Sequence, residues 1–129
     1  MTTNVETGNS KAASMQDQIE SAMKKFCKEG RWESSYLFSS EGFVMAGCGM
    51  SSAYSQENVL EFAFSLIDIV KLLENDLPVK EIMVRGKDKR ILVFRFFNAL
   101  DDVLVLAAVT SGKKGYRRAM GRLIALIRS

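Results

Sequence analysis

The reactive side chains that this 129-residue chain offers are two cysteines, and it has no histidine. Without imidazole there is no His-based triad, no proton shuttle working near neutral pH and no histidine metal site. Cys27 and Cys48 fit no metal-ligand spacing. Cys27 falls on an apolar helical face and Cys48 in a strand-like run, the setting of small buried thiols. Gly47-Cys48-Gly49 could hold a thiol on a tight turn, yet nothing adjacent in sequence would lower its pKa. No Walker-type loop, Rossmann glycine fingerprint or nucleophile elbow is present. The expectation is a protein that is not an enzyme, with no cofactor and no metal.

A second concentration of chemistry lies near the end. From Lys113 to Ser129 the chain carries Lys113, Lys114, Arg117, Arg118, Arg122 and Arg128 and no acid. Positive charge in a helix's first turn opposes its dipole by several tenths of a kcal/mol per residue. Lys113, Lys114, Arg117 and Arg118 are therefore a candidate patch for a phosphate, an acidic partner or a lipid headgroup, set against the plainer reading of a solvated face. No recognition-helix pattern and no interleaved aromatic run point to nucleic acid.

Composition frames these sites. Hydrophobic residues at 47%, charged residues at 26% and a net charge of +3 are values of an ordinary globular domain with a proper core. Residues 1–14 are polar and read as a flexible tail, not a signal peptide, ahead of one domain over 15–129. With that start and two thiols, a cytoplasmic, reduced setting is expected.

Periodicity supplies the elements. Ile19, Ala22, Met23, Phe26 and Cys27 share one face of a helix over Met15 to Lys28, with Ser14 as N-cap and Gly30 as stop. Two short strands follow, Ser34 to Phe38 and Phe43 to Cys48, joined through Ser39-Ser40-Glu41-Gly42. A long helix runs from about Ser55 to Asn75, closed by Pro78. Three strands come next: Val79 to Arg85, Arg90 to Phe97 and Val103 to Val109. The last has no polar residue, so it belongs in the middle of its sheet. A final helix over Lys114 to Ile127 has Tyr116, Ala119, Met120, Leu123, Ile124 and Ile127 inside.

The long helix is greasier than a monomer's surface tolerates. Between Val59 and Leu73 only Glu61, Ser65, Asp68 and Lys71 are not apolar. The polar residues of this helix gather on a stripe roughly 120° wide, and Phe64 and Leu72 intrude even there. A helix on one sheet needs an apolar stripe of only about 100° or a little more. Charges inside the run argue against a membrane span. The short turns favour antiparallel pairing, and an α+β fold results: a five-stranded antiparallel sheet in order 2-1-5-4-3, terminal helices on one face, the long helix on the other. The uncovered apolar arc and the edge strand Val79 to Arg85 are left for a partner.

The order of elements resembles the Roadblock/LC7 family. Leu37-Phe38-Ser39-Ser40-Glu41-Gly42-Phe43-Val44-Met45-Ala46 is similar to its opening hairpin, with serines where many members carry an aspartate in the turn. Gly86-Lys87-Asp88-Lys89-Arg90-Ile91-Leu92-Val93 is similar to its later polar turn, and Gly115-Tyr116-Arg117-Arg118 to the opening of its last helix. The resemblance implies a homodimer, or a heterodimer with a paralogous Roadblock chain, joined through long helices and adjacent edge strands. It implies an adaptor or activating partner for a Ras-like small GTPase, without an inserted catalytic arginine. On that reading Leu60, Phe64, Ile67, Lys71, Val79, Ile82 and Val84 form the dimer interface, and Glu57, Glu61, Asp68 and Leu72 a GTPase-contact face. Two other readings share the strand order. One is a PAS- or profilin-like sensor, whose cavity of several hundred Å³ would be fed by Met45, Phe94 and Phe96. The other is a light-chain-type structural subunit of a larger assembly.

Overall fold

A computed structural model describes residues 3–73, 76, 79–111 and 116–129, with side chains from Met15 onward. Asn75, Pro78, Lys113, Lys114 and Gly115 lie outside the described residues. Helix α1 spans Thr3–Gly30, followed by β1 (Trp32–Ser39), β2 (Val44–Gly49), α2 (Gln56–Leu73), β3 (Glu81–Arg85), β4 (Ile91–Ala99), β5 (Asp102–Thr110) and α3 (Tyr116–Arg128). The helix thus starts well ahead of Met15, in residues expected to be a tail, and Ser14 is not its cap. Nothing apolar recurs there to announce a helix.

All five strands pair antiparallel in the order β2-β1-β5-β4-β3. Central β5 is buried from Leu104 to Thr110, as its uninterrupted apolar run requires. Alternation then sorts the side chains into two cores. Leu37, Val93, Leu104, Leu106 and Ala108 face Met23 and Phe26 of α1 and Met120 and Leu123 of α3. Phe38, Phe94, Val105, Ala107 and Val109 face Val59, Ala63 and Ile67 of α2. In the β1–β2 pair, Leu37 opposes Ala46 and Phe38 opposes Val44, so Met45 is an extra, bulged residue. The bulge sends both Met45 and Ala46 to the α1 side. Met45 therefore cannot share a cavity wall with Phe94 and Phe96, which lie in the other core.

Local chemistry sets the ends of α2 and α1. The Asn58 N–H donates to Ser55 Oγ at 3.2 Å and the Ser55 N–H to Asn58 Oδ1 at 3.3 Å, a reciprocal cap at the start of α2. At the end of α1, Gly30 is the last helical residue and not the expected stop: the Trp32 ring fills the place of a side chain there, and Arg31 takes the left-handed turn at φ 56°. The β4–β5 connection is tighter than the five-residue turn expected. Ala99 pairs with Asp102, leaving Leu100 (φ 54°) and Asp101 (φ 60°) as the two turn residues. That turn type favours Asn-Gly or Asp-Gly, so a leucine there hides it from the sequence.

Gly42 decides where the β1–β2 turn meets α2. Its φ is +93°, and a Cβ added there would collide with the Phe64 ring. Gly42→Ala is expected to cost about 1–2 kcal/mol in chemical denaturation. Part of that loss should vanish in a Phe64→Ala background, because the ring is half of the problem.

Candidate interaction surface

Helix α2 meets the sheet through Val59, Ala63 and Ile67, one residue per turn. Winding from Ala63 at about 100° per residue shows how unevenly the apolar arc continues on the two sides of this line. On one side it ends with Leu60 and Phe64. Leu60 is half-buried against the α2 core, and Phe64, 42% exposed, rests on the Gly42 turn. On the other side Leu66, Phe62 and Ile69 run on towards solvent, with Phe62 40% and Ile69 46% exposed.

The second side leans over the free edge of the sheet. Strand β3 pairs with β4 alone among the described strands. Ile82 opposes Phe94 and Val84 opposes Leu92, so both point to the α2 side. Val84 is 45% exposed. Between helix and edge lies an apolar cleft of about 280 Å³ lined by Tyr54, Phe62, Leu66, Val84, Leu92 and Phe94. Tyr54 and Phe62 meet edge-on, ring centroids 6.3 Å apart, at its mouth. An exposed apolar seam therefore runs from α2 onto the free edge of β3.

A polar network fixes the frame of this seam. Arg90 Nε donates to both carboxylate oxygens of Glu33 at 3.0 Å. Its Nη1 reaches Asp88 Oδ2 at 2.8 Å and its Nη2 reaches Ser52 Oγ at 2.9 Å. Ser51 Oγ donates to Glu33 Oε1 at 2.8 Å. One guanidinium thus ties the start of β1, the segment leading into α2 and the β3–β4 turn. Its hydrogen bonds hold the Asp88 carboxyl below the usual carboxylate range.

The residues expected at the dimer interface separate on this geometry. Ile67 is only 6% exposed and belongs to the intramolecular core, so its place in an interface is withdrawn. It is the last residue of the sheet-facing line Val59–Ala63–Ile67. Leu60, Val79 and Ile82 are half-buried against the same core. Phe64 and Lys71 sit on the flank away from β3 by helical spacing. Val84 alone of the set is an exposed member of the seam. Phe62, Leu66 and Ile69, which were not among the expected residues, line the flank of α2 on the side of β3. Glu57, Glu61, Asp68 and Leu72 share one exposed stripe, and Leu72 is 81% exposed.

Cys27 gains no chemical weight as a nucleophile. Burial, then the neighbouring Cys48, pushes the Cys27 thiol up to about 12, and its S–H donates to the Trp32 carbonyl at 3.4 Å. A thiol so raised is a poor nucleophile. Arg117 and Arg118 are exposed on α3, the guanidinium of Arg117 lying 5.7 Å from the centre of the Tyr116 ring.

No family model matches the sequence, and no curated protein matches it closely. Solved structures do. MglB of Myxococcus xanthus is 12% identical, aligns over 84% of this chain and 83% of its own, and has a TM-score of 0.64. The gliding protein MglB of Thermus thermophilus is 13% identical over 88% of this chain and 90% of its own, with a TM-score of 0.67. The Roadblock/LC7 domain of Streptomyces avermitilis is 16% identical over 87% and 93%, with a TM-score of 0.54. Identities this low speak for architecture alone, and the architecture agrees with the strand order above: this chain has the Roadblock/LC7 fold.

Proposed function

We propose that this chain is a non-catalytic, cytoplasmic adaptor that pairs with a second copy of itself and holds a Ras-like small GTPase. The observation that carries the reading is the apolar seam of Phe62, Leu66 and Ile69 on α2, continued by Val84 on the free edge of β3. Pairing two such seams covers the exposed rings and lets the two β3 strands hydrogen-bond, joining both sheets. The stripe of Glu57, Glu61, Asp68 and Leu72 is then left uncovered on both helices, side by side. The GTPase is supported by the resemblance to Roadblock/LC7 domains and by the fold shared with MglB.

The largest open cleft described, about 740 Å³, lies between the end of β2 and the start of α2, not against a sheet face. On the α2 face of the sheet, Phe94 lines the cleft of about 280 Å³ beside β3 and Phe96 a separate one of about 330 Å³, while Met45 packs on the opposite face, so the three do not share one cavity.

The test uses a purified Ras-like GTPase from the same genome, loaded with a non-hydrolysable GTP analogue or with GDP. Co-elution with the GTP-analogue form is expected, and Glu61→Lys with Asp68→Lys should abolish it while the protein's own mass is unchanged. Absence of a complex with every such GTPase, in both nucleotide states, would overturn the partner. GTP hydrolysis with and without this chain then separates an activating partner from a scaffold.

A further inference from the structure

The opposite side of the sheet has a charge distribution that the seam does not explain. Helices α1 and α3 lie against each other there, with the C-terminal end of α1 beside the first half of α3. Arg122 of α3 pairs with Glu29 of α1 at 3.1 Å, and its guanidinium lies 5.3 Å from the centre of the Phe26 ring. Lys25 Nζ lies 5.6 Å from the same ring. Helical spacing turns Lys25 and Lys28 of α1 outward on the layer that also exposes Arg118 and Arg122 of α3, with Lys24 on the flank of α1 away from α3 and Arg31 at the end. All six are exposed, and Glu29 is the acid among them. Asp17 lies two turns before Lys24 along α1 and Glu20 one turn before it, Glu20 on the flank of α1 away from α3. Helix α2, on the far side, exposes Glu57, Glu61 and Asp68 against Lys71. The molecule is thus polarised, one helical layer cationic and the other acidic.

We propose that the outer face of the α1–α3 layer docks on an anionic lipid bilayer. Charge complementarity calls for an anionic partner, and the kinds of residue choose between a protein and a membrane. Protein interfaces are poor in lysine and need buried aromatic or arginine anchors at their centre. Here half of the cations are lysines, Arg122 is engaged by Phe26 and Glu29, and Met15 and Leu126 are the exposed large apolar side chains described on the layer. Anionic headgroups ask for no pocket, only for several cations on one face, and each basic residue near the surface adds separately to the affinity. Docked in this way, the protein would turn α2 and its acidic stripe towards the solution. Because the layer lies across the sheet from the seam, this inference stands or falls independently of self-pairing and of the GTPase.

The test is flotation of the full chain with phosphatidylcholine vesicles, with and without about 30% phosphatidylserine, in about 0.1 M salt. Co-flotation with the phosphatidylserine vesicles alone is expected, and its loss in about 0.5 M salt. Lys28→Glu with Arg118→Glu should weaken partition by about 30-fold or more, with unchanged circular dichroism, whereas Lys71→Glu on the other face should not weaken it. The inference is overturned if the wild type floats on neither vesicle, if it floats equally on both, or if the double charge reversal has no effect. Retention on immobilised polyglutamate without flotation would assign the face to an acidic protein segment and overturn the bilayer.

Discussion

Replacing Phe62 and Ile69 together by glutamate is expected to turn a dimer into a folded monomer. Both side chains stand on the flank of α2 nearest the free edge of β3, and both are large, apolar and about half exposed. In the isolated protomer a carboxylate at either site reaches water, so the change should cost little in folding. In a twofold pair each substitution occurs twice and brings like charges together in a desolvated seam, a juxtaposition worth several kcal/mol. At least a 100-fold rise in the dimer dissociation constant follows, at about 1.4 kcal/mol per factor of ten. Sedimentation velocity would record the change in mass, and thermal unfolding would record an intact fold. A variant that still sediments as a dimer would exclude this flank from the interface.

Ile67→Glu should behave in the opposite way. Ile67 is one turn from Phe64 and only two residues from Ile69, yet it faces Phe94, Phe96 and Val105 in the closed core beneath α2. A carboxylate buried there without a partner belongs to the few kinds of change that cost more than about 4 kcal/mol. Domains of this size have about 5–15 kcal/mol to lose, so most or all of the cooperative transition should vanish. Circular dichroism melting checks it directly. The contrast between positions 67 and 69 is the sharpest test of how α2 is rotated on its sheet. A folded, monomeric Ile67→Glu protein would mean that the helix presents a different face.

The architecture was largely readable from the chain. The apolar run Val103 to Val109 placed β5 at the centre, and helical spacing gave α1 and α3 their inner faces. What escaped has specific causes. Helix α1 continues to Thr3 through residues with no periodic apolar signal. The β4–β5 turn puts Leu100 in a left-handed conformation that its residue type does not advertise. The single-residue bulge at Met45 flips that side chain to the α1 side, which periodicity alone cannot show. The excess apolar surface of α2 was legible in kind but not in position. An apolar arc of about 240° announces that something more than one sheet covers α2. Which part of the arc the sheet takes depends on contacts distant in sequence, notably Phe64 against Gly42, so the sequence did not show that Ile67 is buried while Phe62 and Ile69 stay exposed.

The polarity of the molecule was also half visible. The acid-free segment from Lys113 onward was evident, but its cationic partners on α1 join it only through the Arg122–Glu29 and Arg122–Phe26 contacts. Charges separated by most of the chain become one surface when two terminal helices pack side by side.

Light scattering on the purified wild-type chain at tens of micromolar bears most directly on whether the α2 flank and the β3 edge seek a second copy. A mass of twice 14.4 kDa is predicted. A stable mass of 14.4 kDa, with the protein folded, would contradict it.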